Sequence, residues 1–399
     1  MKKNALYIQS GGPTSVINAS AYGVIQECIA NSDKINTLYA ARYGQIGILN
    51  NQFVDVLKQD KKQIERLKQT PSMIFGSCRY RIPDENVDDS DYKKILKNLK
   101  QHNIGYIFYN GGNGSVRACK DLKAYLDKHN YECKLVVIPK TVDNDISYID
   151  HAPGFPSAAR HVAISVSELA HDVQTYDTAL ITVVEVMGRN TGFLAAAAKV
   201  AETLGRGADL IYVPELVFDE KKFINDVAST IEEKGKCIAV VAEGVKNTTG
   251  QYLFENNTIN GYQDPYLNMG GITPYLTRLL RQHFSCKIRG IDLNLMQRCS
   301  AHTVSPVDIS EAEQLGRSAV KAVINGESGK MISINRLSNK PLIFNETLES
   351  LEKVAMKDNT LPLEYINRNG NGIEQSYLDY ILPLLGDLPE YAQLNLEII

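Results

Sequence analysis

"IGYIFYNGGNGS", residues 104–115, decides the fold. An unbroken apolar run enters a turn with three glycines, and a serine follows. Such a run suits a strand buried on both faces, as in a parallel sheet. Glycines at its end let backbone N–H groups approach an anion. The same pattern recurs: ALYIQ (5–9) leads into SGGPTS (10–15), and KLVVIPK (134–140) overlaps PKTVDND (139–145). ITVVEVM (181–187) overlaps EVMGRNTG (185–192), LIYVP spans 210–214, and CIAVVAEG (237–244) overlaps AEGVK (242–246). Between these runs lie helical patterns. Val16, Ile17, Val24, Ile25, Cys28 and Ile29 share one face over 16–29, and Val162, Val166, Leu169 and Val173 do so over 161–173. Strand–helix alternation predicts an α/β protein with doubly wound, Rossmann-like parallel sheets. Ligands in such sheets bind beyond the C-terminal strand ends, where every glycine-rich or charged loop falls.

Bulk properties narrow the function. A chain of 399 residues is long for one core, so two domains are expected. A net charge of −3 argues against a nucleic-acid partner. Seven scattered cysteines without a CxxC pair argue against a disulfide framework or a zinc ribbon, and a reduced, cytoplasmic protein is expected. No stretch reads as a signal peptide or membrane span. None of the seven histidines shows metal-ligand spacing, so all are read as ordinary.

The loops divide chemical labour. SGGPTS and NGGNGS read as phosphate cradles, with Ser115 as an N-cap. Lys140 can neutralise phosphate and Thr141 can hydrogen-bond it. Asp143 and Asp145 lie two apart, so in an extended loop they face the same way and can divide acid–base or metal work. Arg189, beside Gly188, suits charge stabilisation in phosphoryl transfer. Glu243 at a strand end can accept sugar hydroxyls. Arg289 and Arg298 flank an apolar segment within KIRGIDLNLMQRCSAH (287–302), and guanidinium groups bind tetrahedral anions well. GSCRYR (76–81) adds Arg79 and Arg81.

Taken together, SGGPT, GSCRY, NGGNGS, PKTVDND, VEVMGRN, AEGV and MQR resemble the phosphofructokinase family in order and approximate spacing. The chain is similar over nearly its whole length to the bacterial group described as pyrophosphate-dependent. The resemblance implies a phosphoryl-donor domain of 1–154 plus 297–340, a sugar-phosphate domain of 155–296, and a C-terminal extension, 341–399, packed on the core. It implies transfer to the 1-hydroxyl of fructose 6-phosphate in a Mg²⁺-dependent, cytoplasmic homodimer or homotetramer. Asp143 would be the general base, with Thr141 and Asp145 as its neighbours and Arg189 on the transferring group. Met187, Gly188, Glu243, Arg289 and Arg298 would hold the sugar phosphate. Gly12, Arg79, Gly114, Ser115 and Lys140 would face the donor.

Some positions depart from the family pattern. Asn113 replaces a metal-associated acid, and Leu180 stands where relatives place a cation. Gly114 matches the ATP users, whereas Lys140 matches the pyrophosphate users. Removing a carboxylate at 114 opens room and relieves a like-charge clash with an α-phosphate. That tips the sequence reading to ATP, with pyrophosphate as the alternative donor. A weakly active sugar-phosphate-binding paralogue, or a different acceptor such as sedoheptulose 7-phosphate, are the competing functions.

Overall fold

The computed structural model describes residues 2–253, 258–259, 262–263 and 271–394. Its strands are β1 (Lys3–Gln9), β2 (Ile35–Ala41), β3 (Phe53–Asp55), β4 (Ile104–Gly111), β5 (Lys134–Pro139), β6 (Leu180–Val186), β7 (Leu210–Tyr212) and β8 (Lys236–Ala242). They continue with β9 (Thr258–Ile259), β10 (Tyr262–Gln263), β11 (Lys287–Asp292), β12 (Lys330–Asn339) and β13 (Leu342–Ser350). The chain divides into two compact units, residues 1–157 with 298–359, and residues 158–297 with 360–399.

The first unit carries a seven-stranded sheet in the order β13-β12-β5-β4-β1-β2-β3. Strands β12, β5, β4, β1 and β2 run parallel, and β3 and β13 pair antiparallel at the two edges. The parallel strands read as buried on both faces, and six of the seven residues of β1 are buried. Strand β13 is different. Its sequence, LIFNETLES, is nowhere fully buried, because an edge strand keeps one side in water. That mixed pattern carries no clean strand signal in sequence. The stretch expected as one extension, 341–399, therefore divides at Asn359: β13 completes the first sheet, and 360 onward belongs to the second unit. Residues 395–399 lie outside the described residues.

The second unit holds a parallel sheet, β11-β6-β8-β7. All seven residues of β6 are buried, including Glu185. This carboxylate accepts the N–H of Gly271 (2.9 Å) and of Thr273 (3.0 Å), which caps the helix Ile272–Arg281. Burial raises its pKa, against these hydrogen bonds. Leu180 opens β6 and is 2% exposed, which fits a core leucine.

In the first unit the helix Ile17–Ala30 crosses the helix Pro306–Ile324 at two glycines. A Cβ on Gly23 would stand 2.0 Å from the Glu313 carbonyl, and one on Gly316 would stand 2.2 Å from the Ser20 carbonyl. Backbone touches backbone there. The first helix is consequently buried almost all round from Ile17 to Ile25, whereas Ile29, expected on its apolar face, is 47% exposed in the last turn.

His151 is fully buried, with Nδ1 2.7 Å from Asp150 and Nε2 2.6 Å from Glu311. Burial pulls its pKa down, but the two carboxylates outweigh that and hold it at about 9. The imidazole is thus a structural cation, and its partner at 311 is 160 residues away in sequence.

Gly316→Ala should lower stability by about 1–3 kcal/mol, because the added methyl meets backbone that cannot yield. Urea unfolding of the variant beside the parent measures this. Stability supplied by the His151 cluster is full below about pH 6.5, the ordinary histidine value, and is lost as pH rises through about 9. His151→Gln should remove that alkaline loss.

Candidate active site

Register assembles the first group of residues. Gln9 on β1 pairs with Asn110 on β4, and Gly111 pairs with Pro139 on β5. The loops after these strands therefore start side by side. Ser10 N–H donates to the Asn110 carbonyl at 3.0 Å, and Lys140 N–H donates to the Gly111 carbonyl at 3.1 Å.

Gly11 has φ +79°, and a Cβ there would stand 3.2 Å from Lys140 Nζ. Glycine thus meets two demands, a left-handed turn and room for a buried ammonium. Lys140 is 3% exposed. Burial lowers its pKa to about 8, against the attraction of Asp145 and Asp143 and with further lowering from Arg298. Arg298 Nη1 lies 3.5 Å from where a Gly12 Cβ would stand. Arg298 thus lies beside Gly12 and acts on Lys140 in the first unit, whereas Arg289 belongs to the second unit. The expected pairing of these arginines on one sugar phosphate is not a feature of either unit taken alone.

Ser77 Oγ donates to the Gly11 carbonyl at 2.8 Å, tying the loop of Arg79 to the SGGPTS turn; Arg79 itself is exposed. Behind that tie is a buried amide pair. Gln9 Nε2 donates to Asn18 Oδ1 (2.9 Å), and Asn18 Nδ2 donates to the carbonyls of Thr70 and Ser72 (2.9 and 3.0 Å). Neither residue stood out in sequence, because an amide within a buried strand or helix carries no motif.

Ser115 is not the N-cap. The helix Asn113–Lys128 starts after Gly112, which provides no side-chain cap, and Ser115 sits inside its first turn. Its Oγ would be 2.1 Å from a Cβ on Gly111, so hydroxyl and glycine fit together. A Cβ on Gly114 would meet nothing within 4 Å.

The loop 141–145 is not extended. Asn144 has φ +59°, so the chain turns between the two aspartates. Both carboxylates oppose the fall in the Lys140 pKa. Thr141 Oγ1 accepts the Asp143 N–H at 3.1 Å. Asn113 Nδ2 donates to the Asp145 carbonyl (2.8 Å) and to Asp145 Oδ2 (3.0 Å). Asp145 Oδ1 is buried and has no hydrogen-bond partner among the described residues. Burial raises the Asp145 pKa.

The second group forms where β6 and β8 end together. Val186 pairs with Ala242, and Glu243 N–H donates to the Val186 carbonyl at 2.9 Å. A Cβ on Gly244 would be 1.9 Å from the Arg189 carbonyl, and one on Gly188, at φ +135°, would be 2.6 Å from the Thr191 carbonyl. These two loops touch through backbone, which holds Arg189 and Glu243 together. Gly188 N–H donates to Glu243 Oε1 at 3.4 Å, and Met187 N–H donates to Gln297 Oε1 at 3.0 Å. Burial lifts Glu243 to about 7, with Glu185 and Asp292 adding to it and Arg189 opposing. The Arg189 guanidinium lies 5.7 Å from the Tyr252 ring centre. Arg289 is paired with Asp172 at 2.8 Å.

A family model described as "Phosphofructokinase" matches residues 4–323. A "Pyrophosphate--fructose 6-phosphate 1-phosphotransferase" of Methylococcus capsulatus is 35% identical over 98% of this chain and 94% of its own length. A "Sulfofructose kinase" of Alkalicoccus urumqiensis is 35% identical over 82% of each chain. An "ATP-dependent 6-phosphofructokinase" of a Sulfurihydrogenibium species is 28% identical over 86% of this chain and 93% of its own. The solved pyrophosphate-dependent phosphofructokinase of Nitrosospira multiformis superposes with a TM-score of 0.87 at 34% identity, over 98% of this chain and 94% of that one.

The cradle itself predicts a pH-dependent anion site. Lys140 is charged below about pH 8, so affinity for inorganic pyrophosphate should fall as pH rises from 7 to 9. Lys140→Met should weaken binding at pH 7 by about tenfold or more, the loss expected for a buried charge-assisted contact, and should flatten that pH dependence. Titration calorimetry reads both.

Proposed function

The chain belongs to the phosphofructokinase family and is a phosphotransferase, and from that premise we propose that it transfers a phosphoryl group from pyrophosphate to the 1-hydroxyl of fructose 6-phosphate. The carrying observation is a cluster in the first unit, in which the glycines Gly11 and Gly12 lie beside the cationic heads of Lys140 and Arg298. The ATP preference drawn from Gly114 is not what the comparisons favour. The relatives named for pyrophosphate cover this chain more fully and at higher identity than the one named for ATP. Physically, Gly114 faces open space, and open space admits a longer donor without binding it. Lys140, buried against Gly11, is a built feature.

In this reading Asp143 takes the proton from the attacking hydroxyl, with Thr141 fixing its backbone. Arg189 neutralises charge on the transferring group. Glu243 accepts a sugar hydroxyl and Arg289 holds the 6-anion. The protein contributes position and charge rather than covalent chemistry. No three-ligand metal cluster forms among the described residues. The spare buried Oδ1 of Asp145 nevertheless suits Mg²⁺, an ion content with one or two carboxylates plus donor phosphates. Asp143 and Asp145 would hold it, and it would offset donor charge.

A second acceptor reading rests on the sulfofructose kinase relative. A sulfonate and a phosphate are both tetrahedral oxyanions that Arg289 can pair with.

Turnover with pyrophosphate should exceed turnover with ATP by at least about tenfold, a 1.4 kcal/mol preference in the transition state; the reverse order overturns the donor assignment. A coupled assay with fructose 6-phosphate, repeated with sulfofructose, settles donor and acceptor together. Asp143→Ser should cut kcat by about 10²–10⁴. Glu243 ionises near pH 7, so KM for the sugar phosphate should fall between pH 6 and 8, and Glu243→Gln should flatten that change.

A further inference from the structure

Position 113 carries an amide where family resemblance leads one to expect a carboxylate, and the amide is fully engaged at its nitrogen. Asn113 Nδ2 donates to the Asp145 carbonyl at 2.8 Å and to Asp145 Oδ2 at 3.0 Å. From the C-terminal side, Asn359 N–H donates to the same carbonyl at 2.8 Å, and Asn359 Nδ2 donates to the Asn144 carbonyl at 3.1 Å. Its neighbour Asp358 forms a bridge with Ile146 and takes Arg117 Nη2 at 2.8 Å. Arg117 lies one turn along the helix that Asn113 opens. Residues 144–146 are therefore gripped between that helix and residues 358–359, all within the first unit. The grip falls on a strained turn, since Asn144 is left-handed.

We propose that Asn113 is a positioning residue for Asp145, and that with Asn359 it forms a clamp that fixes the phosphoryl-transfer loop. The amide suits this pairing. An ionised carboxylate only accepts, so its partner must donate, and asparagine does. The clamp occupies Oδ2 and the carbonyl and leaves Oδ1 as the oxygen with no partner among the described residues. An aspartate at 113 would set two acceptors and two like charges against each other at about that same separation. It would open the clamp rather than restore a metal ligand. Asn359 belongs to the stretch that sequence reading assigned to a separate extension, and it acts here on the loop of the proposed base.

The catalytic consequence rests on the phosphotransferase reading, while the clamp itself can be measured without turnover. The test compares the parent with Asn113→Ala, Asn113→Ser, Asn113→Asp and Asn359→Ala. Amide hydrogen exchange over peptides 141–147 and 356–360 should speed up about tenfold or more in Asn113→Ala and Asn113→Asp, the loss of a charge-assisted bond, and by less in Asn359→Ala, which loses only the neutral bond to the Asn144 carbonyl and keeps its backbone N–H on Asp145. The Ser variant, which keeps a donor, should fall between the other two position-113 variants and the parent. Thermal midpoints should stay close to the parent's. Turnover should fall in the order Asn, Ser, Ala, Asp, with kcat affected and KM for fructose 6-phosphate unchanged. Unchanged exchange in Asn113→Ala overturns the clamp. An Asn113→Asp variant that matches or exceeds parent turnover with a lower Mg²⁺ requirement overturns the positioning role. A parent without turnover, but with the expected exchange pattern, would sink the phosphotransferase reading and leave the clamp standing.

Discussion

A buried ammonium organises one end of the first unit's sheet. Lys140 is almost wholly withdrawn from water, and a lone charge there would be costly. It is sustained because Asp143 and Asp145 follow it in the same loop and because Gly11 presents bare backbone beside it. Much of the surrounding structure serves that arrangement. The parallel register of β1, β4 and β5 delivers three loops to one end of the sheet. Gly111 and Ser115 fit together so that the helix can begin at once after β4. Burial lowers the proton affinity of this cation, and an arriving anion would raise it again.

The second unit solves a different problem by similar means. Arg189 and Glu243 hang from two strand ends that run in register, and glycines let their loops cross at backbone distance. Glu243 pays for that closeness with a desolvated carboxyl near pH 7. Glu185 is buried as well, yet its oxygens are consumed in capping a helix. Two neighbouring carboxylates thus hold different jobs, set by what each can hydrogen-bond.

Strand runs, helix faces and the ordered loop motifs were legible because buried parallel strands and phosphate loops impose strong local patterns. Edge strand β13 was not, because half-exposure dilutes the apolar signal. The paired faces of Asp143 and Asp145 were expected from extended geometry; a left-handed Asn144 turns the chain between them. The family resemblance implied that Arg289 and Arg298 share one anion; in the structure they belong to different compact units, which chain distance does not reveal. Gln9, Asn18 and His151 were invisible as functional or structural anchors, since their partners lie far along the chain.

The sequence alone determined the fold class, the order of the glycine-rich and charged loops, and the family, because these follow from local periodicity and from residue types at strand ends. Only the tertiary structure decided what each polar group has as a partner. It turned Asn113 from a missing metal ligand into a donor to Asp145, drew Asn359 from the C-terminal stretch onto the same loop, and set Arg298 beside Gly12. Hydrogen-bond partnership depends on ångström-scale approach between segments distant in sequence, and no local pattern encodes it.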